Sequence, residues 1–527
     1  MPCGKFRSES IRQAYCVRVW LRFMQAPPSI ITQYSAGTCF IQANWYNYSL
    51  SDQKQESEKA MEQTTRTQNK MGVMPVGRLL LGMSAPVMLS MFIQACYNIV
   101  DSIFVAQLSE NALTAVSLAF PVQILMISVA VGTGIGMNSL ISRRLGERRF
   151  EEANLAASNG LFLLALSAIV FAVFGLTLTK PFFQLFTDDP EILQMGVDYL
   201  SICMIYCFSV FLQIGCERIL QATGNTLYPM LMQLAGAITN IILDPILIFG
   251  YFGFPAMGVS GAAIATVAGQ LVGMLFSFCL IFMKSHEVKV RIRKFRPSPR
   301  LIGDIYAVGI PSIVMQSIGT VMTFGLNKIL ILFTPTAVSV LGIYFKMNSF
   351  VFMPVFALNG ASMSIIAYNF GARQKKRVMD TLKTTILYGL IIMGVGVIVF
   401  QFFTEEMLLL FKASPEMLRI GIPALRIISA GFPGAAIGIA CSTFFQAVGK
   451  GTMSLLMSTI RQLIAILPAA YLFAMLFGLS AVWFAFPVSE IVAFALCMLL
   501  LTSVHRTMIR PLDDPLPEEG MAELQPE

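Results

Sequence analysis

Residues 139–149 read SLISRRLGERR, and residues 364–374 read SIIAYNFGARQ. Each closes a long apolar run and opens a basic stretch, and the two align through Ser139/Ser364 and Gly146/Gly371. A second pair, CERILQATG at 216–224 and CSTFFQAVG at 441–449, aligns through Cys216/Cys441, Gln221/Gln446 and Gly224/Gly449. These pairs, with Phe120/Phe345, share one offset of 225 residues, which scattered coincidence would not produce. Pro86 and Pro311 each open a long apolar run in the two units. Further along, LDPILIFG stands against LPAAYLFA and GVSGAAIATVAGQ against GLSAVWFAFPVSE. The chain is therefore a duplication.

Outward from these anchors, apolar windows recur at 79–105, 115–141, 155–178, 192–214, 227–249 and 258–283. After a basic stretch they resume at 302–333, 341–366, 382–403, 420–440, 455–477 and 479–501. Each is near or above the ~20 residues that a helix needs to cross ~30 Å of hydrocarbon. The expected fold is an all-α polytopic membrane protein with twelve transmembrane helices. Six spans per unit is an even number, so the two repeats insert the same way up, as parallel six-helix bundles around a central cleft. The expected organisation is an N-lobe over 71–290, a C-lobe over 291–510 that begins with a basic linker, and a disordered acidic tail over 511–527. Residues 1–70, which lack the compact apolar stretch and cleavage site of a signal peptide, are expected to be a disordered or non-native extension, with Met61 or Met71 as an alternative start.

Loop charges test the count independently. Arg143, Arg144, Arg148 and Arg149 follow span two; Lys284, Lys289, Arg291, Arg293, Lys294, Arg296 and Arg300 follow span six; Arg373, Lys375, Lys376 and Arg377 follow span eight. The alternate loops carry little beyond Lys180 and Lys412, with acids such as Asp188, Asp189, Glu405 and Glu406. By the positive-inside rule both termini are cytoplasmic, as expected of a multi-pass protein of the plasma (inner) membrane.

Composition excludes several classes. Hydrophobic residues make up 56% of the chain and charged residues 13%, with a mean hydropathy of +0.70, so the solvent of most of this surface is the lipid bilayer. The net charge of +8 does not indicate nucleic acid, because the basic residues sit in short loops as topology signals. Ten cysteines include no CxxC pair, and the two histidines, His286 and His505, lie in polar stretches beside span ends. Neither a zinc site nor a Ser-His-Asp centre can be assembled, no HExxH or P-loop is present, and no enzyme activity or cofactor is expected.

An acid at the middle of a membrane helix costs roughly 2.5–3.5 kcal/mol on insertion scales, so it is a functional candidate by default. Asp101 lies deep in span one and Asp244 deep in span five, both in the outer half of the bilayer when counted from the basic ends. Asn240 precedes Asp244 by four residues and projects from the same helix face. Two close carboxylates in low dielectric resist joint ionisation, which suits an exchangeable proton. Sodium would instead need several oxygen ligands, available from Asp101, Asp244, Asn240 and a hydroxyl. In the repeat alignment Asp101 falls opposite Asn327 and Asp244 opposite Leu467, so the acidic site belongs to the first unit. The second unit has Glu490, Lys346 and Arg461 inside its spans, read either as a Lys346–Glu490 ion pair or as substrate contacts. Pro86, Pro245, Pro311 and Pro468 each remove a helix hydrogen bond and permit a kink.

The segments PVGRLLLGMSAPVMLSMFIQACYNIVDSIFV, SLISRRLGERRFEEAN, CERILQATGNTLYPM, NIILDPILIFG and GVSGAAIATVAGQ, in that order, resemble the multidrug and toxic compound extrusion (MATE) family over essentially 71–510. The resemblance implies efflux of drugs or organic cations driven by inward sodium or protons, with Asp101, Asn240 and Asp244 as cation-coupling residues. It also implies Thr266, in the AAIATV segment, as a further ligand and Pro86 as the helix-bending proline. Many relatives carry an Asn in the fourth helix, where this chain offers Gln213 and Glu217, the latter expected to form a solvated pair with Arg218. The expected protein is a monomeric antiporter of small cationic or amphipathic molecules. A flippase-like exporter of lipid-linked or other amphipathic substrates is the alternative.

Overall fold

The structure, a computed structural model, describes residues 69–283, 287–290 and 296–513. The expectations for 1–68, for the tail from 514 and for His286, with part of the basic linker, fall outside those residues. The described chain is helical throughout and contains no strand. Ten helices are long and apolar enough to cross a membrane, and twelve spans result when each of two bent helix pairs counts as one.

In the first half the spans are Val76–Leu108, Glu110–Gly146, Phe150–Thr177, the pair Pro190–Ile205 and Phe208–Ala222, Leu227–Phe249 and Gly258–Met283. The second half repeats them as Pro299–Leu330, Pro335–Gly371, Lys375–Phe402, the pair Pro415–Ser429 and Phe432–Ala447, the helix run Gly451–Phe477, and a last span beginning at Leu479. The bent pairs are the fourth span of each half, broken by 44° and 47°. The apolar windows at 192–214 and 420–440 gave no sign of these bends, because hydropathy registers length and not direction.

Smaller features repeat as well. Short helices Thr179–Gln184 and Thr404–Leu409 stand at the same offset as the sequence pairs. So do two unusual backbone conformations at the ends of spans two and eight: Arg148 has φ 60° and Arg373 φ 54°, left-handed values that few side chains adopt. Local strain of this kind persists only where surrounding structure fixes it, so the repeat extends below helix positions to backbone detail.

The halves meet at the end that carries the basic loops. Span two lies against span eight there so closely that neither Gly146 nor Gly371 could carry a side chain. A Cβ on Gly146 would strike the Tyr368 carbonyl oxygen, and one on Gly371 would strike that of Arg143. Hydrogen bonds join the halves at the same level. The Ser139 hydroxyl donates to the Gln446 carbonyl at 2.7 Å, and the Ser364 hydroxyl donates to Asn138 Oδ1 at 3.0 Å. The chain before span one adds a clasp: the Met71 carbonyl accepts from Asn369 Nδ2 at 3.0 Å and from Arg377 Nη2 at 2.8 Å, while Arg377 Nη2 also reaches the Met74 carbonyl at 2.9 Å. Beneath it Met71, Leu79, Leu80 and Met83 pack on Leu358, Ala361 and Ile365 of span eight.

Away from that end the halves separate. Residues 128–146 of span two are almost all buried, whereas Phe120 is 59% exposed. In span one no residue is buried between Ser84 and Val105. The contacts that join the halves therefore lie at the basic end, which is the sealed one.

Candidate functional site

The close approach of spans five and six builds the site. Gly236 and Gly269 face each other, and a Cβ on either would lie 2.9 or 2.6 Å from the carbonyl oxygen of the other, so only glycine permits this helix separation. One turn further along, Asn240 Nδ2 donates to Thr266 Oγ1 of span six at 3.4 Å and to Asp244 Oδ1 of its own helix at 3.3 Å. The i to i+4 spacing places Asn240 and Asp244 on one face, as the sequence implied. Asp244 is fully buried and Asn240 nearly so.

Span one supplies the opposite wall. Gln94, Tyr97 and Asp101 stand at i, i+3 and i+7, a single stripe along the helix. Gln233 Nε2 of span five donates to Gln94 Oε1 at 2.9 Å and ties the two helices together. Tyr97, hydrogen-bonded with Gln94, lies within electrostatic reach of both Asp101 and Asp244, and Asp101 is in turn close enough to bear on Asp244. Tyr199 and Cys203 of span four also lie within electrostatic reach of Asp101, and Gln123 Nε2 of span two donates to the Tyr199 hydroxyl at 3.5 Å. The structure therefore brings Asp101, Asn240, Asp244 and Thr266 to one place and adds Gln94, Tyr97 and Gln233. Those three were missed in the sequence, although polar residues at helical spacing within an apolar span were the available signal.

Three oxygens of the cluster have no hydrogen-bond partner: Asp101 Oδ1, Asn240 Oδ1 and Asp244 Oδ2. A buried acceptor without a partner costs about 1–3 kcal/mol, and more when charged, so three at one site amount to a standing preference for a positive occupant. Oxygen ligands alone suit a hard monovalent cation or a proton. No cluster of three or more His, Cys, Asp or Glu side chains able to hold a metal exists among the described residues. Pro245, next to Asp244, lacks the N–H that would otherwise reach the Ile241 carbonyl, so backbone polarity is left uncompensated beside the carboxylate.

Two expectations for polar residues elsewhere need correction. Glu490 does not pair with Lys346: its Oε1 contacts Arg461 Nη1 at 3.4 Å, while Lys346 Nζ lies over the Phe411 ring, 6.0 Å from its centroid. The π-helical stretch Ile460–Ala465 of span eleven, which carries Arg461, packs against the last span, so that Arg461 is the cation within reach of Glu490. Glu217 likewise forms no solvated pair with Arg218. It accepts from Gln213 Nε2 at 3.4 Å, while Arg218 Nη1 donates to Gln221 Oε1 at 3.0 Å.

Known proteins share this architecture. The family model MatE matches the chain twice, at 86–246 and 311–472, each match starting at one of the paired prolines Pro86 and Pro311. An FAD transporter of Shewanella oneidensis is 27% identical over 431 residues, covering 81% of this chain and 94% of that protein. The multidrug export protein MepA of Staphylococcus aureus (strain N315) is 27% identical over 430 residues, with the same coverage of 81% and 94%. Among solved structures, an outward-facing multidrug resistance MATE family transporter of the MOP superfamily superposes with a TM-score of 0.78 at 27% identity, covering 85% of this chain and 99% of that one. A MOP superfamily transporter from Pyrococcus furiosus superposes with a TM-score of 0.78 at 26% identity over the same shares, 85% and 99%. With both halves matched by the family model, and the fold shared with solved MATE family transporters, the chain belongs to the MatE family of multidrug and toxic compound extrusion transporters.

Proposed function

We propose that the protein is a secondary active antiporter that exports small amphipathic or cationic molecules in exchange for sodium ions or protons moving inward. The observation that carries the coupling is the set of three unpartnered oxygens on Asp101, Asn240 and Asp244, beside the Thr266 hydroxyl. A cation bound there neutralises acids that lipid and protein otherwise leave uncompensated, and its departure restores the penalty. Both termini and the basic loops lie on the cytoplasmic side of the plasma (inner) membrane, so that the end at which the halves are joined faces the cytoplasm, and the transporter works as a monomer. Multidrug relatives and an FAD transporter together point to amphipathic substrates carrying rings. Coupling needs only that cation and substrate prefer opposite states by a few kcal/mol.

The test is dye efflux from proteoliposomes with a sodium gradient and a pH gradient imposed separately. One gradient drives efflux by the natural protein, and Asp101→Asn abolishes that dependence without lowering the amount of folded protein. Coupled efflux by Asp101→Asn would remove the assignment.

A further inference from the structure

The second half holds a pocket that the cation site does not use. It is a half-open pocket of about 160 Å³ between spans seven, eight, ten and eleven. That suits one substituted ring, with the remainder of a larger molecule lying in the cleft past Phe356, which is 48% exposed. Its wall is divided. Met315, Met457 and Phe356 are apolar and polarisable; Ser442, Gln446 and Arg461 are polar.

Most of the polar wall is already engaged. The Ser442 and Ser454 hydroxyls bond each other, Gln446 Nε2 donates to Ser454 Oγ at 3.1 Å, and Ser458 Oγ reaches Met315 Sδ at 3.4 Å. Arg461 differs. A guanidinium has five N–H donors in a flat fork that fits a carboxylate or phosphate two at a time. Among the described residues its only carboxylate contact is the single prong to Glu490 Oε1 at 3.4 Å, a length well beyond that of a good charge-assisted bond. Glu490 is equally underused, since its Oε2 has no partner. Gly434 of span ten lets Glu490 approach closely, since a Cβ there would lie 2.8 Å from Glu490 Cβ, and Gly438 stands beside Arg461 Nη1. A loosely held ion pair bordering a half-apolar pocket is how a membrane protein can keep a guanidinium in place for a ligand.

We infer that this pocket binds the acidic group, carboxylate or phosphate, of an amphipathic aromatic molecule. Arg461 takes the anion through its free prongs, Met315, Met457 and Phe356 hold the ring, and Glu490 is the internal counter-ion that the ligand's acid displaces. The inference rests on the export function proposed above for its physiological meaning, but binding can be measured without transport.

The probes are rhodamine B and its ethyl ester, which share the same ring cation and differ in one free carboxylate. Binding of each to purified full-length protein in detergent is followed by dye fluorescence. The natural protein binds the acid about 10- to 100-fold more tightly than the ester, the range expected of a charge-assisted hydrogen bond. Arg461→Gln removes that preference, Arg461→Lys retains part of it, and Glu490→Gln tightens binding of the acid without changing that of the ester. A natural protein that does not discriminate acid from ester overturns the inference without any variant. So does an acid preference that survives in folded Arg461→Gln, or an equal weakening of both dyes by Glu490→Gln, which would indicate a merely structural pair. Acid preference with no ion-driven efflux would sink the antiport reading and leave the pocket standing; efflux without acid preference would do the reverse.

Discussion

Replacing Gly146 by alanine should push the transporter out of the state described here. A Cβ at that position would stand 2.8 Å from Ala372 N, where ordinary contact begins at 3.4 Å, and closer still to the Tyr368 carbonyl oxygen. Spans two and eight must therefore separate by at least 3.4 − 2.8 = 0.6 Å along that direction. Both partners are backbone, so no side chain can rotate away. Overpacking of this kind costs about 1–3 kcal/mol, which corresponds to roughly a 5- to 150-fold change in the balance between two states. The penalty falls on the state sealed at the basic end, because only there do the two glycines meet. Spin labels at the exposed Lys180 and Lys412, one on each half at the opposite end, report the balance as a distance distribution in liposomes. The background should carry serine in place of the exposed Cys279, the half-buried Cys96 and the N-terminal Cys3, Cys16 and Cys39. Gly146→Ala should add a shorter distance as the opposite ends of the halves draw together. Gly82→Ala, whose Cβ would meet nothing within 4 Å, should leave the distribution unchanged. An unaltered distribution in Gly146→Ala, or the same change in both variants, would refute the reasoning.

Two further perturbations follow from the same geometry. Asn240→Leu removes the amide that links Thr266 to Asp244 at 3.4 and 3.3 Å, and should weaken the ion that drives efflux by about tenfold, measured as a rise in the gradient-ion concentration for half-maximal dye efflux; an unchanged ion dependence would remove Asn240 from the site. Arg377→Ala deletes the charged donor to the Met71 and Met74 carbonyls, and should destabilise the sealed end by about 1.5–3 kcal/mol, seen as faster labelling of a cysteine placed at Met71, against no change if those bonds are incidental.

The sequence was most informative where one helix carries the whole signal. Asn240 and Asp244 share a face by arithmetic alone, and the duplication at an offset of 225 residues fixed the number of spans and their relative orientation. It was silent where the outcome depends on how helices rotate against each other. Arg461 illustrates the limit: a regular helix through 451–477 would direct it by a 3.6-residue period, but the π-helical stretch Ile460–Ala465 shifts every later and neighbouring position relative to that period. The sequence therefore offers Lys346 as the ion-pair partner of Glu490, whereas the structure sets Arg461 beside it. Gln94, Tyr97 and Gln233 were missed for another reason: an amide or phenol in lipid costs far less than a charge, so burial alone did not single them out. The bends in the fourth span of each half left no mark in hydropathy, since a broken helix is as apolar as a straight one.

What connects the proposed cation site to the seal is span one. From Leu79 to Ser84 it is packed on span eight of the other half, and the Met71 carbonyl before it is held by Asn369 and Arg377. From Gln94 onward it packs against span five, joined there by the Gln94–Gln233 hydrogen bond. Pro86 stands at the boundary, two residues past the last packed position, and lacks the N–H that would join the turn before it to the turn after. A uniform helix would carry a displacement at Asp101 rigidly into the seal. With one hydrogen bond missing at the boundary, the segment that carries Asp101 can instead change its angle while the clasped segment keeps its contacts, so that a cation bound as proposed would act on the cleft first and on the seal second. The same helix thus touches both elements whose free energies must be linked, and its weakest turn lies between them, where bending costs least.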